Sequence, residues 1–207
     1  MEDNKTPLPE SNEQIELTAD TGGTASKKPQ DFAASLYEWL ELFAVSFAIV
    51  MMIVLLIARH SPVVGSSMIN TLHDGDMLIV SDLFYEPKNN DIIVFHSQNT
   101  GYDEPYVKRI IATEGQTVDI DFPTWTVTVD GVELDEPYVN YLAGVYMRED
   151  DVEFPLTVPE GHIFVMGDNR NFSNDSRGSR IGCVDTRFVF GRVLFRITPI
   201  SQFGKVN

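Results

Sequence analysis

Residues 106–112 read Tyr106–Val107–Lys108–Arg109–Ile110–Ile111–Ala112, a run of β-forming residues that carries two basic side chains. Alternation puts Val107 and Arg109 on one face of a strand and Tyr106, Lys108 and Ile110 on the other. The second face is largely apolar, so Lys108 is expected to point towards a core. An isolated strand lysine more commonly snorkels to water. A buried amine resists charging and its pKa falls, which is what a lysine base needs near neutral pH. The same texture repeats outwards from this run. Segments 77–85 (MLIVSDLFY), 91–97 (DIIVFHS), 117–121 (TVDID), 125–131 (WTVTVDG), 161–167 (GHIFVMG) and 190–197 (FGRVLFRI) are rich in Val, Ile, Phe and Tyr. Turn-forming clusters such as Pro87–Lys88–Asn89–Asn90 separate them. Residues 63–207 show neither a sustained helical period nor βαβ alternation. The expected fold class is therefore mainly β, an antiparallel sandwich or barrel-like domain over 60–207, with a polar insert at 142–157.

Upstream of the β-rich part lies the strongest physical signal in the chain. Leu42 to Ala58 reads LFAVSFAIVMMIVLLIA, apolar on every face. At 1.5 Å per residue this run spans about 25 Å, slightly less than the hydrocarbon core of a bilayer. Residues 36–41 lengthen it, and Tyr37 and Trp39 suit the membrane interface. A single transmembrane helix over 36–59 is expected, stopped by Arg59, His60 and Pro62. The run is long for the apolar region of a cleavable leader, and no small-x-small site follows at once. Lys27 and Lys28 precede it and Arg59 follows, so the positive-inside rule favours a cytoplasmic N-terminus and an extracytoplasmic C-terminal domain.

Residues 1–31 hold three lysines against seven acids and almost no aromatics. Such a segment cannot offset its ordering entropy, so a disordered acidic tail is expected. The whole chain of 207 residues carries a formal charge of −16, which argues against nucleic-acid binding. The one cysteine, Cys183, excludes an internal disulfide and a cysteine-based metal site.

Three segments hold residues suited to chemistry. Gly65–Ser66–Ser67–Met68–Ile69–Asn70–Thr71–Leu72 follows the apolar run after a few residues; a loop serine alone is unremarkable. Lys108 lies in the strand described above. Gly167–Asp168–Asn169–Arg170–Asn171–Phe172–Ser173–Asn174–Asp175–Ser176–Arg177 is a polar turn at a strand exit, where Arg–carboxylate pairs can fix its shape. The histidines His60, His73, His96 and His162 stand in no HExxH or GxSxG context, and none is singled out for a Ser–His–Asp triad.

Together, in order, these pieces resemble the bacterial type I signal peptidases: an apolar helix, GSSMINTLHDGDMLIV, DIIVF, YVKRIIATEGQTV, the hairpin VTVDGVELDEPYV and GHIFVMGDNRNFSNDSRGSRIGCV. The resemblance covers residues from about 36 to 200. It implies a membrane-bound Ser–Lys endopeptidase that removes signal peptides from exported preproteins near the secretion machinery, with no metal or organic cofactor. It implies Ser67 as nucleophile and Lys108 as general base. It implies Ser173 as the hydroxyl that orients the lysine, with Asp168, Asp175 and Arg177 around it and Arg109 as their partner. The oxyanion is expected at the Ser67 amide, with Ser66 or a backbone N–H near Gly65 as second donor. Asn70 departs from the family's usual proline. A catalytically impaired, membrane-tethered binding or scaffold module of the same fold is the alternative. Self-cleaving repressors share Ser–Lys chemistry but carry a DNA-binding domain, and the histidine-using branch of the family lacks the lysine.

Overall fold

The structure is a computed structural model that describes residues 32–57, 59–97 and 105–206. The acidic segment 1–31 lies outside the described residues. Helix α1 spans Phe32–Ile57. Its stretch Ala34–Val54 is long and apolar enough to cross a membrane, and none of the residues in its apolar window is buried.

The rest of the described chain is built from short strands. They are β1 (Arg59–Pro62), β2 (Met77–Ser81), β3 (Ile92–Phe95), β4 (Tyr106–Thr113), β5 (Thr117–Asp121) and β6 (Thr126–Val129). After them come β7 (Val132–Glu133), β8 (Leu156–Thr157), β9 (His162–Met166), β10 (Val184–Asp185), β11 (Val189–Thr198) and β12 (Gly204–Lys205). All pairings are antiparallel. The larger sheet runs β1–β2–β11–β3–β4–β9–β10, with β12 added to β11; the smaller runs β7–β6–β5–β8. Bulges in β11 and between β4 and β9 curl the larger sheet. The mainly β expectation is met.

Two boundaries differ from the sequence reading. Arg59, His60 and Pro62 were expected only to end the apolar helix, yet they form β1, with Arg59 opposite Val80 and Pro62 opposite Met77. Pro62 fits there because it closes an outer strand, where a missing N–H costs little. The run 77–85 stays extended only to Ser81 and then turns through Phe84, at φ 51°. The Asp130–Gly131 turn has positive φ at both residues, the geometry of a tight hairpin that joins β6 to β7.

Strand β4 is buried on both faces. Ile111 and Ala112 pack with Phe164 and Met166 of β9 and with Val118, Ile120, Val127 and Val129 of the smaller sheet. Val107 joins Leu78, Val80, Ile92 and Val94, together with Met68 and Leu72 from the turn after β1. Burying several such side chains stabilises by about 1.5–3 kcal/mol each. This packing therefore fixes where Lys108 stands and where Ser67, next to Met68, is held.

Candidate active site

The Ser67 turn is a compact, internally bonded structure. Val63 donates to the Asp76 carbonyl at 2.8 Å and accepts from Gly75 at 3.0 Å, which closes the loop at its base. Thr71 and Leu72 both donate to the Met68 carbonyl at 2.8 Å. Met68 and Leu72 are buried, so the residues just after Ser67 are anchored in the core. Gly65 sits at φ 89°, a left-handed conformation that favours glycine.

From the opposite side the polar turn clamps the serine backbone. The Asn169 amide donates to the Ser67 carbonyl at 3.0 Å, and Asn169 Nδ2 donates to the Ser66 carbonyl at 2.9 Å. Gly167 makes this approach possible. A Cβ there would run into Ser173 and the Ser67 carbonyl oxygen.

Lys108 Nζ lies 2.8 Å from Ser67 Oγ and 2.9 Å from the Val107 carbonyl. Only 3% of the lysine is exposed. Burial pulls its pKa down to about 8, against the opposing pull of the negative Asp175 and Asp168. At pH 7 about one amine in ten is then neutral, against fewer than one in a thousand for a free lysine. Arg109, next in sequence, faces away from the dyad. It grips Asp168 through Nε at 2.9 Å and Nη2 at 2.8 Å, and its Nη1 donates to Asn90 Oδ1 at 3.0 Å. Thr71 Oγ1 also donates to Asp168, which ties the end of the Ser67 turn to the same carboxylate.

Arg177 holds Asp175 through Nε at 2.8 Å and Nη2 at 2.9 Å. Burial works against the Asp175 charge. The Arg177 guanidinium, its hydrogen bonds and the Gly167 amide nevertheless hold the carboxyl below the usual carboxylate range. A third buried pair joins Arg170 to Glu136, at 2.6 and 3.0 Å. Each arginine meets its carboxylate two-handed, so the polar turn keeps one shape without solvent.

The structure thus brings Ser67, Lys108, Arg109, Asp168, Asp175 and Arg177 together. Two of the expected residues have further contacts. Ser173 is buried against Gly167 and beside Asp175, whose charge its side chain helps to hold, while Lys108 Nζ donates to the Val107 carbonyl. The Gly65 N–H donates to Asp74 Oδ1 at 2.8 Å and is therefore engaged, which leaves Ser66 and Ser67 as the oxyanion candidates of that turn. Sequence reasoning missed Glu136, Asn169 as a backbone clamp, and Asn90. Only Asn169 had a signal, its place inside the polar turn.

A family described as signal peptidase, peptidase S26, matches residues 36–198. A probable signal peptidase I-1 from a Synechocystis species is 35% identical over 180 residues, 82% of this chain and 86% of that protein. Signal peptidase IB from Staphylococcus aureus is 32% identical over 183 residues, 81% of this chain and 92% of that protein. A crystal structure of a signal peptidase I from Enterococcus faecalis, 34% identical, covers 52% of this chain and 97% of that one with a TM-score of 0.44. The chain belongs to the signal peptidase family, peptidase S26.

Proposed function

We propose that this chain is a membrane-bound serine endopeptidase that cleaves signal peptides from preproteins, with Ser67 as nucleophile and Lys108 as general base. The observation that carries the residue roles is the 2.8 Å approach of a buried amine to the serine hydroxyl. Neutral Lys108 takes the Ser67 proton as Oγ attacks the scissile carbonyl. The protonated amine then gives that proton to the leaving amine, and an acyl-enzyme remains. Water, deprotonated by Lys108, releases the acyl group and restores the serine. The Ser67 amide, with Ser66 beside it, is the donor proposed for the developing oxyanion. The impaired binding module has no support in this geometry, because hydroxyl and amine stand in reactive contact.

The peptide has a place to lie. Tyr106–Lys108 pair with β3 on one edge, while pairing with β9 begins only at Arg109. That leaves a strand edge beside Ser67 for an extended peptide to join by β-augmentation. A cavity of about 290 Å³ opens there, lined by Val63, Val64, Ser67, Met68, Tyr106 and Lys108 among others. Its apolar patches, from Val63, Val64, Met68 and Val107, suit small apolar side chains before the cut. Residues 1–31 form the acidic tail, α1 the anchor and the chain from β1 onwards the catalytic domain. The N-terminus faces the cytoplasm and the catalytic domain the outside, where preproteins leave the secretion machinery.

The test is cleavage of a signal-bearing preprotein by the full chain in detergent micelles. Ser67→Ala and Lys108→Ala each abolish processing; a Lys108→Ala protein that still cuts would refute the dyad. Orientation is read by labelling Phe84→Cys in intact cells, since Phe84 is 95% exposed. Cys183 is a poor reporter, because burial pushes its thiol up to about 11. Labelling of Phe84→Cys only after cell lysis would reverse the topology.

A further inference from the structure

We infer that an aromatic cleft at the turn between β5 and β6 is a subsite for a lysine or arginine side chain of the preprotein, downstream of the cut. The inference rests on the Ser67–Lys108 reading. The cleft is a cavity of about 380 Å³ lined by Pro123, Trp125, Tyr141, Leu142, Val145 and Tyr146 among others. The Trp125 and Tyr141 rings meet at 5.4 Å and 52°, and Tyr146 is 73% exposed. Such rings attract a cation to their faces. Pro123, Leu142 and Val145 suit the apolar stem of a long basic side chain. Charge sets the sign of the occupant. Residues 114–160, which include all four strands of the smaller sheet, hold twelve acidic residues and one basic residue, Arg148. Burial, and then the negative charge of Glu136, Asp135 and Glu133, raises the pKa of the Tyr141 phenol, so their field reaches the cleft. Arg170 offsets Glu136, which it grips, whereas Asp135 and Glu133 lie exposed.

The cleft has a fixed shape. Trp125 sits at φ 65°, a left-handed conformation that a bulky side chain rarely adopts. Its Nε1 donates to the Val145 carbonyl at 2.8 Å. Met147 is buried, and its amide donates to the Phe122 carbonyl at 3.0 Å. The same loop is fastened to the active site at both ends. The Asn140 amide donates to the Asp168 carbonyl at 3.0 Å, and Asn140 Nδ2 donates to Asn169 Oδ1 at 3.3 Å. Asn171 accepts from the Arg148 amide at 2.6 Å and donates to the Tyr146 carbonyl at 3.1 Å. Asn169 is also the residue that clamps Ser67, so it alone stands between the nucleophile turn and Asn140, the neighbour of Tyr141. That separation is on the order of 15 Å, about five extended residues. Upstream of a cut this stretch of a preprotein is the small-residue site and the apolar core of the signal peptide, so a cation within this reach lies downstream.

The test uses the full chain in micelles and preproteins that differ only by Ala, Lys or Gln at one of about ten positions after the cut. The reading is the Lys-to-Gln ratio of kcat/KM. At one or two neighbouring positions the wild type favours Lys by about twofold to fivefold, the range of an exposed cation–π contact. Tyr146→Phe keeps the ratio and Tyr146→Ala brings it near one. Glu133→Gln combined with Asp135→Asn lowers it, as does added salt. A ratio near one throughout, one equal at every position, or one unchanged by Tyr146→Ala overturns the inference, while cleavage of the Ala preprotein upholds the dyad. The last two results would mark the diffuse field of an acidic chain. In a Trp39→Phe background, quenching of Trp125 emission by a chitin oligosaccharide and not by tetralysine assigns the cleft to a sugar and likewise overturns the inference. A wild type that leaves the Ala preprotein uncut overturns both readings.

Discussion

Replacing Lys108 by Met should destroy cleavage and stabilise the fold. Methionine keeps the length and apolar stem of lysine and removes the amine. In the folded protein the amine titrates at about 8 instead of 10.5, a difference worth about 3 kcal/mol against the native state at pH 7. The amine recovers part of this through its contacts with Val107 and Ser67, about 1 kcal/mol net. The Met variant should therefore gain about 2 kcal/mol at pH 7, or about 4–8 °C in melting temperature for a domain of this size. The gap narrows with alkalinity. Between pH 8 and 10.5 the unfolded chain binds the proton and the folded one does not, so wild-type stability rises with pH. Towards pH 10.5 the two proteins should converge. The assay is thermal unfolding of both full chains in the same detergent at pH 7 and pH 10, followed by near-UV circular dichroism. A Met variant that melts no higher than wild type at pH 7, or a gap that stays constant with pH, would refute the claim that burial lowers the pKa of this amine.

Wild-type kcat/KM should climb about tenfold per pH unit below 8 and level off above it, as Lys108 loses its proton. A flat profile, or one centred near 10.5, contradicts the assigned base. Gly167→Ala should displace the Ser67 turn and cost about 1–3 kcal/mol, because its methyl group meets the Ser67 carbonyl oxygen and Ser173; cleavage and urea unfolding together report it, and an active, equally stable variant would count against the clamp. Glu136→Ala leaves the Arg170 guanidinium buried and unpaired, so unfolding in urea should show a loss of about 3–5 kcal/mol. A loss under 1 kcal/mol would mean that water reaches Arg170.

What could be read without coordinates follows a physical line. Periodicity is local, so the apolar helix, the β texture and the inward phase of Lys108 were all visible in consecutive residues. Motif order then joined Ser67 to Lys108. Contacts between distant segments left no such trace. Glu136 lies in a hairpin whose sequence says turn, and only the fold sets it against Arg170. Asn90 looked like part of a loop cluster, yet its carbonyl and side chain both receive Arg109. Ser173 lies beside Asp175, a contact that only the folded turn sets. Gly65 was expected near the oxyanion, but the sequence does not show that Asp74 takes its amide. The early end of β2 at Ser81 was hidden because Leu83, Phe84 and Tyr85 have strand-like side chains on a backbone that turns.

The clamp of Asn169 on the Ser67 turn joins residues about a hundred positions apart. Between them the chain must lay down β2 to β9 before the serine carbonyls find their donors. Long-range pairing of this kind closes late in folding, after its loop entropy has been met. The hydroxyl and amine of the site therefore come into register only when the domain is nearly complete. A half-made copy of the chain at the membrane is inert by construction. Cleavage of preproteins therefore waits until the last polar turn has docked.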